Sequence, residues 1–193
     1  MGEMPSIIRE TNQGFFRLSL ADEMLAHREV ECAGSIDTES AYSLCCQLRY
    51  LQREDPSREI TFFLNSPGGE VRSGLAVYDV MQGISCPIRT VCLGQAASMA
   101  AVLFAAGNRR DILPHAQVMI HDPLISNGVG GSAMNVYTIS QNLLNVRETL
   151  GRILAGHTGR TLEEIYEKTA HDTIFNAREA VEFGLADRVI DTL

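Results

Sequence analysis

The run Met99–Ala106, "MAAVLFAA", has no polar residue on any side. A helix that is apolar all round has to be buried all round. It is also far shorter than the roughly 20 residues needed to span a bilayer. The chain must therefore wrap this segment in layers of its own structure. "EITFFLNS", "IRTVCLG" and "AQVMIHDP" read as short apolar strands, and "VRSGLAVYDVMQGI" as a helix between the first two. Strands alternating with helices require crossover connections, which predicts an α/β fold with a mostly parallel sheet.

The flanking segments extend this pattern. Asp37 is placed to cap a helix over 38–53, with Ala41, Leu44, Cys45, Leu48 and Leu51 at helical spacing. The glycine-rich "ISNGVGGSAM" leads into a long helical pattern over about 132–157. Its apolar residues, Met134, Tyr137, Leu143, Leu144, Leu150 and Leu154, form a stripe wider than one small domain uses. Part of that stripe is expected at an oligomer contact. Thr161 with Glu164, and Asn176 with Glu179, have capping-box spacing for two more helices, and Gly184 closes the second. "LADRVID" reads as a terminal strand. With 193 residues and no linker or repeat, a single domain over 1–193 is expected.

Composition narrows the partners. A net charge of -8 argues against nucleic acid and anionic membranes. The five cysteines are odd in number and lack CxxC spacing, so reduced thiols buried as small hydrophobes in a cytoplasmic protein are expected, with no metal site. "MGEMPSIIRETNQG" lacks the basic-then-apolar pattern of a secretory leader.

The chemistry centres on Ser98, in "GQAASMAAVLFAAGN". It stands where a strand ends and the buried helix begins. There it can cap the helix or be held out as a nucleophile; the residues alone leave both open. A nucleophile needs a base. His121 ends the apolar "VMI" strand, at the sheet edge where α/β proteins place ligands. His115, after Pro114, reads as surface, and His157 as a helix C-terminal residue favoured by the dipole. The base needs an orienting carboxylate. Asp122 is adjacent but should point away. Asp172 lies between two capped helices, and periodicity cannot bring it to His121. An oxyanion needs two N–H donors; Gly69 in "NSPGGE" and Met99 at the helix start are candidates, though a Pro-Gly pair is also an ordinary turn.

Taken together, "FFLNSPGG", "YDVMQGI", "GQAASMAAVLFAAG", "VMIHDP", "HTGRTLEEI" and "AREAVEFGLADRVI" closely resemble the ClpP family, the proteolytic subunits of Clp proteases, over about residues 28–191. The resemblance implies a crotonase-like fold of stacked ββα units with a protruding handle helix, the handle segment lying at about 125–157. It implies a Ser-His-Asp triad carried by Ser98, His121 and Asp172, with Gly69 and Met99 as oxyanion donors and no cofactor. It further implies a homo-oligomer of heptameric rings stacked as a tetradecamer. Such a barrel is fed unfolded polypeptide by an AAA+ unfoldase of the ClpX, ClpA or ClpC type. Residues 1 to about 20 match the family's axial loop region loosely. The chain itself has no P-loop and is not expected to bind nucleotide.

Three departures stand out. Ala170-His171 replaces the Asp-Arg pair that usually precedes the catalytic aspartate, so an inter-ring ion pair is expected to be missing. Thr61 and Asp111 stand at or near aromatic positions of the unfoldase-docking pocket, which predicts weaker docking. "IHDP" stands where "IHQP" is usual. These changes point to a divergent paralogue. Two readings follow: a self-sufficient serine endopeptidase, or a regulatory or structural ring subunit working in a mixed barrel with a paralogue of a second ClpP type. A crotonase-type CoA enzyme would use the same paired N–H groups but needs no serine at the helix start.

Overall fold

The computed structural model describes residues 5–12, 14–125 and 128–193. The chain opens with an antiparallel hairpin of β1 (Ser6–Thr11) and β2 (Gly14–Ser19), which forms its own two-stranded sheet. It leads into α1 (Leu20–Ala26), where Ser19 and Asp22 form a capping box. Ile8, Phe15 and Phe16 are exposed on this hairpin. Of the segment expected to be axial, residues 6–11 and 14–19 form this hairpin, and residues 1–4 and 13 lie outside the described residues.

The body follows as β3 (Glu29–Ala33), α2 (Thr38–Glu54), β4 (Ile60–Ser66), α3 (Val71–Gly83), β5 (Ile88–Ala97) and α4 (Met99–Ala105). Then come β6 (Arg109–Ile112), β7 (Gln117–Ile120), α5 (Ala133–Thr158), α6 (Leu162–Thr169), β8 (Thr173–Asn176), α7 (Ala177–Phe183) and β9 (Arg188–Val189). The main sheet runs β3-β4-β5-β6-β9, with every neighbouring pair parallel. β5 is long enough to carry β6 along its first half and β7 along its second. β8 then adds to β7 antiparallel.

This layering buries the apolar run. Every residue of α4 is buried, packed against β5, α3 and α5. Its last turn is tied to the sheet: the buried Thr90 hydroxyl donates to the Phe104 carbonyl at 2.8 Å. On α2, Ala41, Leu44, Leu48 and Leu51 face the core. Cys45 is half-buried and Cys46 exposed, so the expectation of buried thiols holds for Cys32, Cys86 and Cys92 only. Asp37 caps α2 as expected and shares a capping box with Ser40. Asp37→Ala should therefore lower unfolding stability by about 1 kcal/mol in urea titration, without changing the fold.

The expectation for His157 also needs qualifying, and β1, β2, β3, β6 and β8 have no counterpart among the expected strands. His157 lies in the last turn of α5 as expected, but its surroundings work against the charged form that the dipole favours. Burial pushes its pKa down, Arg110 adds to the effect, and Tyr78 Oη meets its Nε2 at 3.2 Å. Of those strands, β6, "RRDI", carries three charges in four residues.

The reason is Asp111, whose side chain is fully buried on one face of the sheet. It accepts from Arg89 Nε at 2.6 Å and Arg188 Nε at 2.8 Å, with Arg109 Nε at 3.6 Å. Burial pushes the Asp111 carboxyl up, but Arg188 and Arg89 outweigh it and hold the pKa below the usual range. A depressed carboxylate pKa contributes stability above the unfolded value, near 3.9, that is lost as pH falls through the folded one. Asp111→Asn should flatten this acid limb in melting curves taken from pH 7 downward.

Among the described residues, no helix is long and apolar enough to cross a membrane.

Candidate active site

The site forms where β5 and β7 end side by side. β5 stops at Ala97, Ala97 pairs with Met119, and the Ser98 N–H donates to the Met119 carbonyl at 2.8 Å. That bond fixes Ser98 against the strand end that delivers His121. Ser98 occupies the N-cap position of α4 with φ 55° and ψ -121°. Only one other non-glycine residue among those described, Arg28, has positive φ. Such a backbone costs about 1–3 kcal/mol and is held only where the surroundings enforce it.

The geometry argues against a side-chain cap. The Ser98 side chain makes no capping hydrogen bond. The backbone does that part instead, the Ser98 carbonyl accepting from Ala101 N–H at 3.0 Å. The hydroxyl is left free to meet His121, with Oγ and Nε2 2.8 Å apart. A strained strand-to-helix turn that lifts a serine out of the helix is how hydroxyl nucleophiles are commonly exposed.

Asp172 reaches the other side of the same ring. Its Oδ1 is 3.7 Å from His121 Nδ1, an ion-pair distance rather than a hydrogen bond, and its side chain is 73% exposed. Asp172 precedes a strand, not a plain interhelical loop. β8 pairs with β7 so that Thr173 lies opposite Ile120, which sets Asp172 beside His121.

The turn Pro67-Gly68-Gly69 closes over the start of α4. Gly68 sits so tightly that a Cβ there would stand 2.5 Å from the Ala97 carbonyl oxygen and 2.9 Å from Met99 N. Gly69 forms a parallel bridge with Ile36: Ile36 N–H donates to Gly68 O and Glu70 N–H to Ile36 O, each at 2.8 Å. In that pattern the N–H of Gly69 itself points away from Ile36. Met99 N–H is the first of α4, among those a helix leaves without an internal partner. A cleft of about 620 Å³ lined by Ile36, Gly69, Val71, Ser98, His121 and Leu124 runs past these groups. A smaller apolar pocket beside Ser98 is walled by Met99, Val102, Ile120 and Leu154.

Sequence reasoning passed over several residues around this site. Ser66, fully buried, accepts from Gly68 N–H at 3.0 Å and braces the glycine turn. Arg147 and Thr169 hold Asp122, the residue after His121. Nothing in the local pattern marks them, because Arg147 and Thr169 act across a long stretch of chain.

The mostly parallel α/β sheet with a long helix leaving it is consistent with a crotonase-like fold. The profile of the Clp protease family matches residues 13–193, and the chain belongs to that family. Its typical members are serine peptidases.

Proposed function

We propose that this chain is the serine endopeptidase subunit of a barrel-shaped, ATP-dependent Clp protease. The observation that carries the reading is the 2.8 Å contact between Ser98 Oγ and His121 Nε2, made by a serine whose backbone, not its side chain, starts the helix. His121 takes the hydroxyl proton as Ser98 attacks a peptide carbonyl. The N–H groups of Gly69 and Met99 stabilise the oxyanion. His121 then gives the proton to the leaving amine, and water repeats the sequence to release the acyl group. Asp172 on the Nδ1 side favours the tautomer whose Nε2 accepts. The open cleft suits an extended polypeptide.

The exposed Met134, Tyr137 and Leu144 on the outer half of α5 fit a handle that joins two heptameric rings. Residues 126 and 127 of that segment lie outside the described residues. An AAA+ unfoldase of the ClpX, ClpA or ClpC type would deliver substrate to the tetradecamer.

One observation favours a second reading. The 3.7 Å separation of His121 and Asp172, with Asp172 largely exposed, suits a regulatory or structural ring subunit that is weakly active alone and works in a mixed barrel with a second ClpP type. The test is the purified chain with a fluorogenic peptide and a serine-reactive phosphonate, with particle mass read by light scattering. Hydrolysis and labelling at Ser98 in a tetradecamer support the first reading. Ring assembly without either, restored by a second Clp subunit, supports the other.

A further inference from the structure

Asp122 follows His121 and is bound twice to Thr169. Its N–H donates to the Thr169 carbonyl at 2.7 Å, and its Oδ1 accepts from the Thr169 hydroxyl at 2.6 Å. Thr169 is 5% exposed and ends α6, three residues before Asp172. On the other side of His121, Ile120 pairs with Thr173. The segments carrying His121 and Asp172 are thus pinned together at two points, with both residues between the pins. The second oxygen of Asp122, Oδ2, accepts from Arg147 Nε at 2.6 Å. Arg147 belongs to α5, and its guanidinium lies over the Tyr166 ring of α6, 3.8 Å from the centroid. Further toward its N-terminus, α5 leaves the body with Met134, Val136, Tyr137 and Leu144 exposed.

We infer that Arg147, Asp122 and Thr169 form a positioning network that couples the root of α5 to the alignment of His121 with Asp172. It rests on the peptidase reading of those two residues. None of the three touches Ser98 Oγ; each acts through the backbone that carries His121 or Asp172. Both oxygens of Asp122 are occupied, so displacing Arg147 when α5 tilts pulls on a carboxylate that also holds Thr169. Small shifts of a base relative to its orienting carboxylate are costly, since a misplacement of about 1 Å can cost on the order of a hundredfold in rate.

The test compares Arg147→Ala, Asp122→Ala, their double variant and Arg147→Lys in the full chain as it assembles. Peptide kinetics are read together with hydrogen exchange by mass spectrometry. Each alanine variant should lower kcat about 10- to 100-fold with KM within about twofold of the parent. The double variant should be no worse than the poorer single one, and Arg147→Lys should recover much of the rate. Amide exchange in segments 119–124 and 169–175 should quicken together, by about tenfold, while α4 stays protected. Unchanged exchange in those two segments overturns the network, as do additive losses, whatever the activity. If the parent chain hydrolyses nothing but its variants show the paired exchange change, the peptidase reading fails and the network stands.

Discussion

Ser98→Ala should abolish peptide hydrolysis and phosphonate labelling, lowering kcat by as much as about a millionfold, to the detection limit. Among the described residues, this hydroxyl is the group placed both to attack and to share a proton with His121, at 2.8 Å. His121→Ala should lose about as much, and the double variant no more, because the two act as one unit. Stability should move the other way or not at all. The serine side chain gives α4 no cap bond, so alanine forfeits no helix hydrogen bond, while the φ 55° strain remains for either residue. Melting temperatures of parent and Ser98→Ala within a few degrees, with activity gone, would establish a catalytic hydroxyl. Comparable activity in the variant would defeat the peptidase proposal.

The second large effect concerns the glycine turn. A Cβ at Gly69 would stand 2.0 Å from the Ile36 carbonyl oxygen and 2.7 Å from its nitrogen, at φ +155°. Neither backbone can give way cheaply, because Ile36 and the turn are hydrogen-bonded to each other. Gly69→Ala should therefore swing the turn off Ile36. The strained φ costs about 1–3 kcal/mol of stability, and the steric conflict about 1–3 kcal/mol more. If Gly69 N–H serves the oxyanion, kcat should also fall about 100- to 1,000-fold. Gly83→Ala is the control: an added methyl there would meet no heavy atom within 4 Å, and its φ is not positive, so kcat should not change and stability should hold or rise by up to about 1 kcal/mol. Phosphonate labelling separates the two effects. A variant that stays folded yet labels slowly has lost the donor, whereas one that melts early has lost the bridge.

Much of this site was legible locally. The turn from strand to buried helix at Ser98, the strand end at His121 and the glycine pair after β4 all follow from apolar runs and breakers within a few residues. The caps at Asp37, Thr161 and Asn176 formed as expected, since a cap is decided by a side chain and an amide three residues away. Other elements escaped the pattern. β8 is four residues with only Phe175 buried, too short for a period to show. β6 hides its strand character behind charges, because Asp111 is buried by arginines from β5 and β9 rather than by apolar neighbours.

Hydrophobic period and turn chemistry within single segments were enough to set the layered α/β class, the burial of α4 and the place of Ser98 at its start. The resemblance implied Asp172 as the carboxylate beside His121, but no local pattern did, and its distance came from tertiary packing alone. Asp172 is brought there by the pairing of β8 with β7, which joins Ile120 to Thr173 across three intervening elements of chain, α5, α6 and the loop before them. The Arg147–Asp122–Thr169 clamp has the same origin. Contacts of that separation are set by how whole elements pack, and no periodicity within a single segment encodes them.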